Sequence, residues 1–245
     1  MAKIVTFISG KGGSGKSTVI VGIANALALA GKRVLLVDTD TGANCLDVIT
    51  GVGEGIVYNW GDVFSNTCEV ADTVYPSLTV ENLYIMPAPK DYSKEYSVTI
   101  LKDLLRLISH NFDFILIDAP AGLGKGLSLA LAPASEAVLV SNDDNFSLKV
   151  GAKAAEIARA VNKNTLLIIN AFRAFAVKSG FLPTIDEAMD ITELPLLGIV
   201  PFEANLNYNA SSGKPFLQGT KATEAFARIA KRLQGEQAAL PEEWL

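Results

Sequence analysis

The sequence is short of the residues that build metal clusters and disulfides. It has two cysteines, Cys45 and Cys68, and one histidine, His110, in 245 residues. The cysteines form no CxxC pair, so a zinc site is not predicted. Both are expected to be reduced thiols in a cytosolic compartment. His110 is predicted at the C-terminal end of a helix, where interaction with the helix dipole is expected rather than catalysis.

Long apolar runs and a surplus of positive charge are also missing. The longest apolar stretch, Val19–Ala30, contains Asn25 and is too short to cross a bilayer. The N-terminus has no signal-peptide layout. The net charge of −5 argues against a general electrostatic grip on DNA or acidic lipid, although a local basic patch is compatible with it. We therefore expect a cytoplasmic protein without an intrinsic membrane helix and without strong direct DNA binding.

Hydrophobic residues make up 49% of the chain and fall into short runs that alternate with helical patterns. Near-continuous apolar runs are typical of buried parallel strands. The alternation predicts one domain, 1–245, with a doubly wound, mainly parallel sheet between helices on both faces, and a ligand at the carboxyl ends of the strands. The predicted strands are Lys3–Ser9, Arg33–Asp38, Leu83–Pro87, Phe112–Asp118, Glu136–Ser141, Thr165–Asn170 and Leu196–Val200. The predicted helices are Lys16–Ala30, Val98–His110, Leu123–Leu131, Ser147–Asn162, Ile185–Asp190 and Lys221–Gln234.

Two further segments are described by their composition. The glycine-rich residues 51–55 predict a flexible loop. The last predicted helix should bury a stripe of apolar residues and turn Arg228, Lys231 and Arg232 towards solvent. An extra tail, about 235–245, follows it, and Pro241 breaks any helix there.

The first predicted strand runs directly into a glycine-rich loop. A strand, this loop and a following helix form the context that a P-loop requires. Glycines let backbone N–H groups point inward, which makes an anion nest at a helix N-terminus. Lys16 is predicted to reach the β- and γ-phosphates of ATP, Ser17 to coordinate Mg²⁺, and Thr18 to contact the α-phosphate. A glycine-rich turn without a ligand is the alternative. The loop consists of Gly10, Lys11, Gly12, Gly13, Ser14, Gly15, Lys16 and Ser17.

Aspartates end two of the predicted strands. Asp38 and Asp40 end one strand, and Asp118 ends another, where Ala119-Pro120-Ala121-Gly122 follows it. Carboxylates beside a phosphate loop can hold a metal-bound water or orient an attacking one. The alternative for the first pair is that both acids only cap the next segment.

These motifs together resemble those of the MinD/ParA family of ATPases. The loop fits the KGGxGK[ST] pattern of that family, and the segment 34–47, VLLVDTDTGANCLD, resembles its MinD form. The resemblance implies a Mg²⁺-dependent ATP hydrolase, slow unless a partner stimulates it, that dimerises when ATP is bound. It also implies that Lys11 crosses to the phosphates of the second subunit. Asp40 would position the hydrolytic water, and Asp38 would support the metal shell.

The resemblance assigns further residues to the nucleotide. Asp118 would bind Mg²⁺ through water, and Gly122 of the D-x-P-A-G segment would contact the γ-phosphate. Asn170, Pro201 and Glu203 would hold the adenine, since an amide offers both a donor and an acceptor. A strand-end cap is the alternative for Asn170.

The sequence departs from the family pattern in three places. Cys45 stands where asparagine is common, beside Asn44. The segment 142–149 lacks a Pro-Glu pair and the following Arg-Asp, in a region that lines the dimer or partner surface. The basic amphipathic helix that ends MinD proteins is absent, so Trp244 and Leu245 would supply at most a very weak membrane anchor.

Three functions fit these observations. The first is a MinD-like switch that binds ATP, dimerises and engages an unidentified protein regulator in spatial organisation, such as placement of a division site or an organelle. A regulator could then recruit it to a membrane. The second is a ParA-like DNA-partition ATPase, which needs a basic dimer face. The third is a scaffold that binds ATP without hydrolysing it. The acidic composition favours the first over the second.

Overall fold

One sheet organises the molecule. The computed structural model describes residues 1–41, 45–90, 96–211, 216 and 218–244. Within these ranges eight strands form a sheet in the order β3-β4-β2-β5-β1-β6-β7-β8, parallel except for the pair β3 and β4. The strands are β1 (Lys3–Ile8), β2 (Val34–Asp38), β3 (Tyr75–Pro76), β4 (Leu83–Met86), β5 (Phe114–Asp118), β6 (Glu136–Asn142), β7 (Asn164–Phe172) and β8 (Leu196–Pro201).

Helices surround this sheet. The longer ones follow amphipathic or buried patterns in the sequence, and shorter ones lie in the connections. They are α1 (Lys16–Leu29), α2 (Cys45–Thr50), α3 (Trp60–Phe64), α4 (Val98–Ile108), α5 (Lys125–Leu131), α6 (Asn145–Ala160), α7 (Ala174–Lys178), α8 (Ile185–Thr192), α9 (Ala204–Ser211) and α10 (Lys221–Leu233). Short 3₁₀ turns are Gly53–Gly55, Val70–Thr73, Ser109–Asn111 and Glu242–Trp244.

The predicted doubly wound, mainly parallel sheet is confirmed. All seven predicted strands are present, with ends that differ by one or two residues, and the edge strand β3 was missed. The six predicted helices are present too, whereas α2, α3, α7 and α9 were missed. The segment 51–55, predicted as a flexible loop, contains the 3₁₀ turn Gly53–Gly55. His110 is exposed in the turn that follows α4.

The strand order brings three carboxyl ends together. β5 lies between β1 and β2, and its last residue, Asp118, is the register partner of Asp38 on β2 and of Phe7 on β1. The chain leaves β1 through α1 towards β2, while β6, β7 and β8 lie on the other side of β1. Parallel sheets bind ligands at such a reversal of strand order, outside the carboxyl ends.

The end of the described chain packs differently from the expectation. The apolar stripe of α10 is buried as predicted, and Lys231 is exposed. Arg228 and Arg232, which were predicted to turn towards solvent, are half-buried. The chain after α10 folds back, so Arg232 donates hydrogen bonds of 2.9 Å to the carbonyls of Leu197 and Ala238. Long arginine stems can cover apolar surface while the guanidinium finds a polar partner.

Trp244 takes part in the same packing. Its ring is 5.3 Å from the Arg228 guanidinium and 6.5 Å from the Phe172 ring, and the residue is only 7% exposed. The predicted weak membrane anchor is therefore packed against the domain at this residue, while Leu245 lies outside the described residues. None of the helices in the described ranges has the length and apolarity needed to cross a membrane.

Candidate nucleotide-binding site

The loop between β1 and α1 forms an open cavity of about 280 Å³. Residues 11–18 line it, together with Ser9, Asp40, Ile49 and Ala121. Gly15 has a φ of 78°, and a Cβ there would lie 2.3 Å from the Asn170 Nδ2 atom. Both the backbone conformation and the space therefore require glycine at this position. The cavity joins the predicted phosphate loop to Asp40, as the motifs implied.

The first residues of α1 meet the end of β5. The buried Lys16 Nζ donates a hydrogen bond to Asp118 Oδ1, and Ser17 Oγ donates to Asp118 Oδ2 at 2.7 Å. The cation, the hydroxyl and the carboxylate predicted for phosphate and Mg²⁺ thus lie at one point. Charged hydrogen bonds of this kind hold both helix and strand in place.

A second buried carboxylate lies beside the first. Asp38 is 2% exposed and is the register partner of Asp118 on the adjacent strand. Burial and, second, the negative charge of Asp118 raise the pKa of Asp38 to about 8, against the hydrogen bond from the Asp40 N–H and the charge of Lys16. A cation bound beside the two carboxylates would favour the ionised form of Asp38. Two carboxylates and the Ser17 hydroxyl are oxygen donors that suit Mg²⁺.

Asp40 lies closer to the surface than the buried Asp38. Its N–H donates to Asp38 Oδ1 at 2.8 Å, and its half-buried side chain borders the cavity. Thr39, between the two acids, is anchored by its N–H and Oγ1, which donate to the Asp118 carbonyl at 3.0 and 2.7 Å. The segment that carries the two acids is therefore fixed to β5. Asn44 and the side chain of Cys45, where the sequence departs from the family, lie outside the described residues.

The segment after Asp118 is bound to the phosphate loop. The Gly122 N–H donates to the Ser9 carbonyl at 3.2 Å, and Ala121 borders the cavity. The predicted contact of Gly122 with the γ-phosphate therefore requires this hydrogen bond to break.

The three predicted adenine residues differ in what they contact. Asn170 is 8% exposed, and its Nδ2 donates to the Ser14 carbonyl of the phosphate loop at 2.8 Å. Pro201 is buried at the end of β8, whereas Glu203 Oε1 accepts a hydrogen bond of 2.9 Å from Ala222 N in the first turn of α10. Asn170 thus joins the site, while Glu203 uses its carboxylate to fix a helix. None of the three borders the cavity under the loop, and their contact with a base stays a prediction.

Known proteins resemble this chain in sequence and in fold. The profile of the AAA domain family matches residues 2–168. The septum site-determining protein MinD of Synechocystis is 31% identical over 241 residues, which cover 96% of this chain and 91% of that protein. MinD in the MinC:MinD cell division complex of Aquifex aeolicus superposes with a TM-score of 0.91 at 31% identity and covers 98% of this chain and 99% of that chain.

A third match is to septum site-determining protein MinD of Pyrococcus horikoshii, solved with Mg-ADP. Its TM-score is 0.85 at 28% identity, and the match covers 95% of this chain and 96% of that chain. The chain belongs to the MinD/ParA family of P-loop ATPases. The family prediction made from the loop and the aspartates is thereby confirmed.

The second lysine of this ATPase loop lies apart from the first. Lys11 Nζ is 5.3 Å from the centroid of the Phe146 ring, at the start of α6. Gly10 does not border the cavity but packs on the same helix, since a Cβ there would lie 2.4 Å from the Val150 carbonyl carbon. The sequence analysis missed Phe146. The one signal for it was an aromatic residue placed shortly after a strand that pairs with β1.

A second group in the ATPase was also missed. The buried Asp143 carboxylate accepts hydrogen bonds from the Arg173 guanidinium at 2.6 Å and from the Arg173 N–H at 2.8 Å. The hydrogen bond to Asp143 raises the pKa of Arg173. This ion pair joins the residues that directly follow β6 and β7. The two residues are far apart in sequence, so no local sequence pattern indicates that they pair.

Proposed function

We propose that the chain is an ATP-driven switch that closes into a homodimer over its nucleotides and then engages a regulator protein in the placement of cell division. The observation that carries this proposal is the separation of the two loop lysines. Lys16 faces the buried aspartates, whereas Lys11 extends away from them to the start of α6. A cation on the outer side of the loop suits phosphates that are bound by a second subunit.

Nucleotide binding exchanges the partners of the buried charges. Bound Mg²⁺ would neutralise charge on the phosphates of the nucleotide. Lys16 would turn from Asp118 to the phosphates, and Ser17 Oγ would turn from the same carboxylate to the metal. Asp118 and Asp38 would hold the metal shell from the strand ends. Burial and the charge of Asp118 favour the protonated form of Asp38, and a cation bound beside the two carboxylates would replace that proton.

Hydrolysis requires a water placed against the γ-phosphate. Asp40 borders the cavity, and its backbone is fixed by the hydrogen bond to Asp38, so its carboxylate is the group that orients this water. Gly122 leaves the Ser9 carbonyl and donates its N–H to the γ-phosphate. Loss of that phosphate returns Gly122 to Ser9 and resets the switch.

The hydrogen bonding of Asn170 favours adenine. Its Nδ2 uses one N–H on the Ser14 carbonyl, which leaves the second N–H as a donor and Oδ1 as an acceptor. Adenine matches this pair with its exocyclic amine as donor and N7 as acceptor, whereas the same edge of guanine presents two acceptors. Pro201 and Glu203 lie on the next strand and connection, where their backbone contacts the base.

The protein partner is proposed by similarity. The structure with a TM-score of 0.91 is that of a MinC:MinD cell division complex, so a MinC-like regulator is the partner we propose. A DNA-partition role is not favoured, because the chain carries a net charge of −5.

Trapping the dimer tests this function. Asp40→Ala should bind Mg-ATP, lose hydrolysis and remain a dimer on size exclusion with light scattering. Lys16→Ala is the control, since it should lose nucleotide binding and stay a monomer. The proposal fails if Asp40→Ala binds ATP but elutes only as a monomer at every protein concentration tested.

A further inference from the structure

The ammonium of Lys11 rests on an aromatic ring. Its Nζ lies 5.3 Å from the centroid of Phe146, within the range of a cation–π interaction. Phe146 is 67% exposed, so the hydrophobic core does not account for its presence at this position. An exposed aromatic side chain that holds a lysine of the phosphate loop needs a separate explanation.

The backbone keeps these two side chains near each other. Gly10 lies so close to α6 that a Cβ on it would be 2.4 Å from the Val150 carbonyl carbon. On the loop side, the Lys11 carbonyl accepts a hydrogen bond of 3.2 Å from Ser9 Oγ. Because loop and helix are in direct backbone contact, Lys11 and Phe146 can separate by side-chain rotations without a movement of either element.

At the N-terminus of α6, the carboxylate of Asp144 offsets the positive end of the helix dipole. The positive end of the helix dipole repels an ammonium group. Asp144 offsets this repulsion as the N-cap residue, whose carboxylate accepts hydrogen bonds from Ser147 N at 2.8 Å and Ser147 Oγ at 2.5 Å. Burial raises the pKa of Asp144, but the hydrogen bonds from Ser147 and the charge of Lys11 outweigh it and lower the pKa. An ionised carboxylate therefore lies near the ammonium.

We propose that the ring of Phe146 is the resting position of Lys11 in the nucleotide-free protomer, and that Phe146 is a positioning residue that sets how readily Lys11 is released to the second subunit. The proposal rests on the homodimer described under the proposed function. Lys11 cannot remain in contact with Phe146 of its own protomer and also reach the nucleotide of the second subunit. Holding Lys11 thus opposes dimerisation until the phosphates of the second subunit attract it.

The expected size of the effect follows from the strength of the interaction. A cation–π pair at an exposed site corresponds to about a two- to five-fold change in equilibrium. Two lysines are released in each dimer, so the dimer dissociation constant should change by about four- to 25-fold.

The resting position can be tested without dimerisation. In the nucleotide-free protomer, the ring current of Phe146 should shift the Lys11 Hε signals upfield, with the signals assigned through a Lys11→Arg sample. Phe146→Leu should remove this shift, and Phe146→Tyr should retain it. Phe175→Leu is the matched control, because Phe175 is also exposed, at 83%, but lies on α7. Lys11 signals that are the same in wild type and Phe146→Leu overturn the resting position.

Dimerisation tests the functional part. In the Asp40→Ala background with saturating Mg-ATP, Phe146→Leu should dimerise at a protomer concentration lower by about four- to 25-fold, and Phe146→Tyr should match the parent. Adding Lys11→Ala to both the parent and Phe146→Leu should abolish the difference between them. An unchanged or weaker dimer in Phe146→Leu overturns the inference, whereas absence of a dimer in the parent and every variant overturns the homodimer itself. Thermal melts of each variant verify that it is folded.

Discussion

Lys11 and Lys16 belong to one loop, but their side chains have different surroundings. Lys16 is buried against Asp118, and its role follows from the P-loop pattern that the sequence displays. Lys11 contacts Phe146, which the pattern did not indicate. The difference has a physical cause. The loop motif specifies backbone conformation and phosphate contacts, whereas the contact with Phe146 depends on how α6 packs against Gly10.

A residue-scale prediction concerns Asn170. Asn170→Ala removes the hydrogen bond to the Ser14 carbonyl and the acceptor offered to the base. We expect ATP affinity to fall about ten-fold, the equivalent of about 1–1.5 kcal/mol for one hydrogen bond, and preference for ATP over GTP to weaken. Titration calorimetry with both nucleotides measures this. Asn164→Ala, at the opposite end of the same strand, is the control, and equal affinities for wild type and Asn170→Ala would contradict the assignment.

At the scale of elements, the long helices and the buried strands were predicted from the sequence, whereas several of the short helices were not. Buried strands such as β2 were predicted from a continuous apolar run, and the long helices α1 and α10 from apolar residues that extend over their whole length. The helices α3 and α7 have only five residues each, too few for a periodic signal. Ala171 has a φ of 54° within β7, a conformation that its residue type does not indicate.

Among the elements, the prediction differed most from the structure at the end of α10 and in the segment that follows it. Arg232 is held by two backbone carbonyls, those of Leu197 and Ala238. Every residue has a carbonyl, so no residue type in the sequence marks these acceptors. The helical pattern of α10 therefore predicted an exposed arginine, and only the folded chain reveals its partners.

Removing this guanidinium should loosen the segment that follows α10. Arg232→Ala loses both hydrogen bonds and should lower the free energy of unfolding by about 2 kcal/mol. It should also speed proteolysis within 235–244, since the Ala238 carbonyl loses the hydrogen bond that ties this segment to α10. Urea unfolding and timed digestion measure the two effects. The control is Lys231→Ala, which changes an exposed side chain on the same helix and should leave the free energy of unfolding and the rate of proteolysis unchanged. If Arg232→Ala also leaves both unchanged, its two hydrogen bonds do not hold the segment.

At the scale of the whole molecule, the nucleotide site depends on strands that are distant in sequence. The order β2-β5-β1 brings Asp38, Asp118 and the phosphate loop to one edge of the sheet. The sequence identified these residues because each stands where a strand ends. It could not predict that Asp38 and Asp118 are register partners, an arrangement that adds the charge of Asp118 to the burial that raises the pKa of Asp38.

The raised pKa of Asp38 predicts how the stability of the nucleotide-free protein depends on pH. The pKa of Asp38 is raised from 3.8 to about 8, chiefly by burial and then by the charge of Asp118. The folded state therefore keeps a proton that the unfolded state releases. Its stabilising contribution is complete below the unfolded pKa of 3.8 and is lost as the pH rises towards about 8.

Comparison with Asp38→Asn isolates this group from other titrations. The variant should be as stable as wild type at acidic pH and more stable at alkaline pH, because it has no carboxylate to ionise beside Asp118. Thermal or urea unfolding of the metal-free proteins at a series of pH values gives the difference. Saturating Mg-ATP should stabilise wild type most at alkaline pH, where the cation meets two ionised carboxylates. A wild-type minus variant difference that stays constant across the series would show that Asp38 has the same pKa in the folded and unfolded states, and would contradict the effect of burial and of Asp118 on this group.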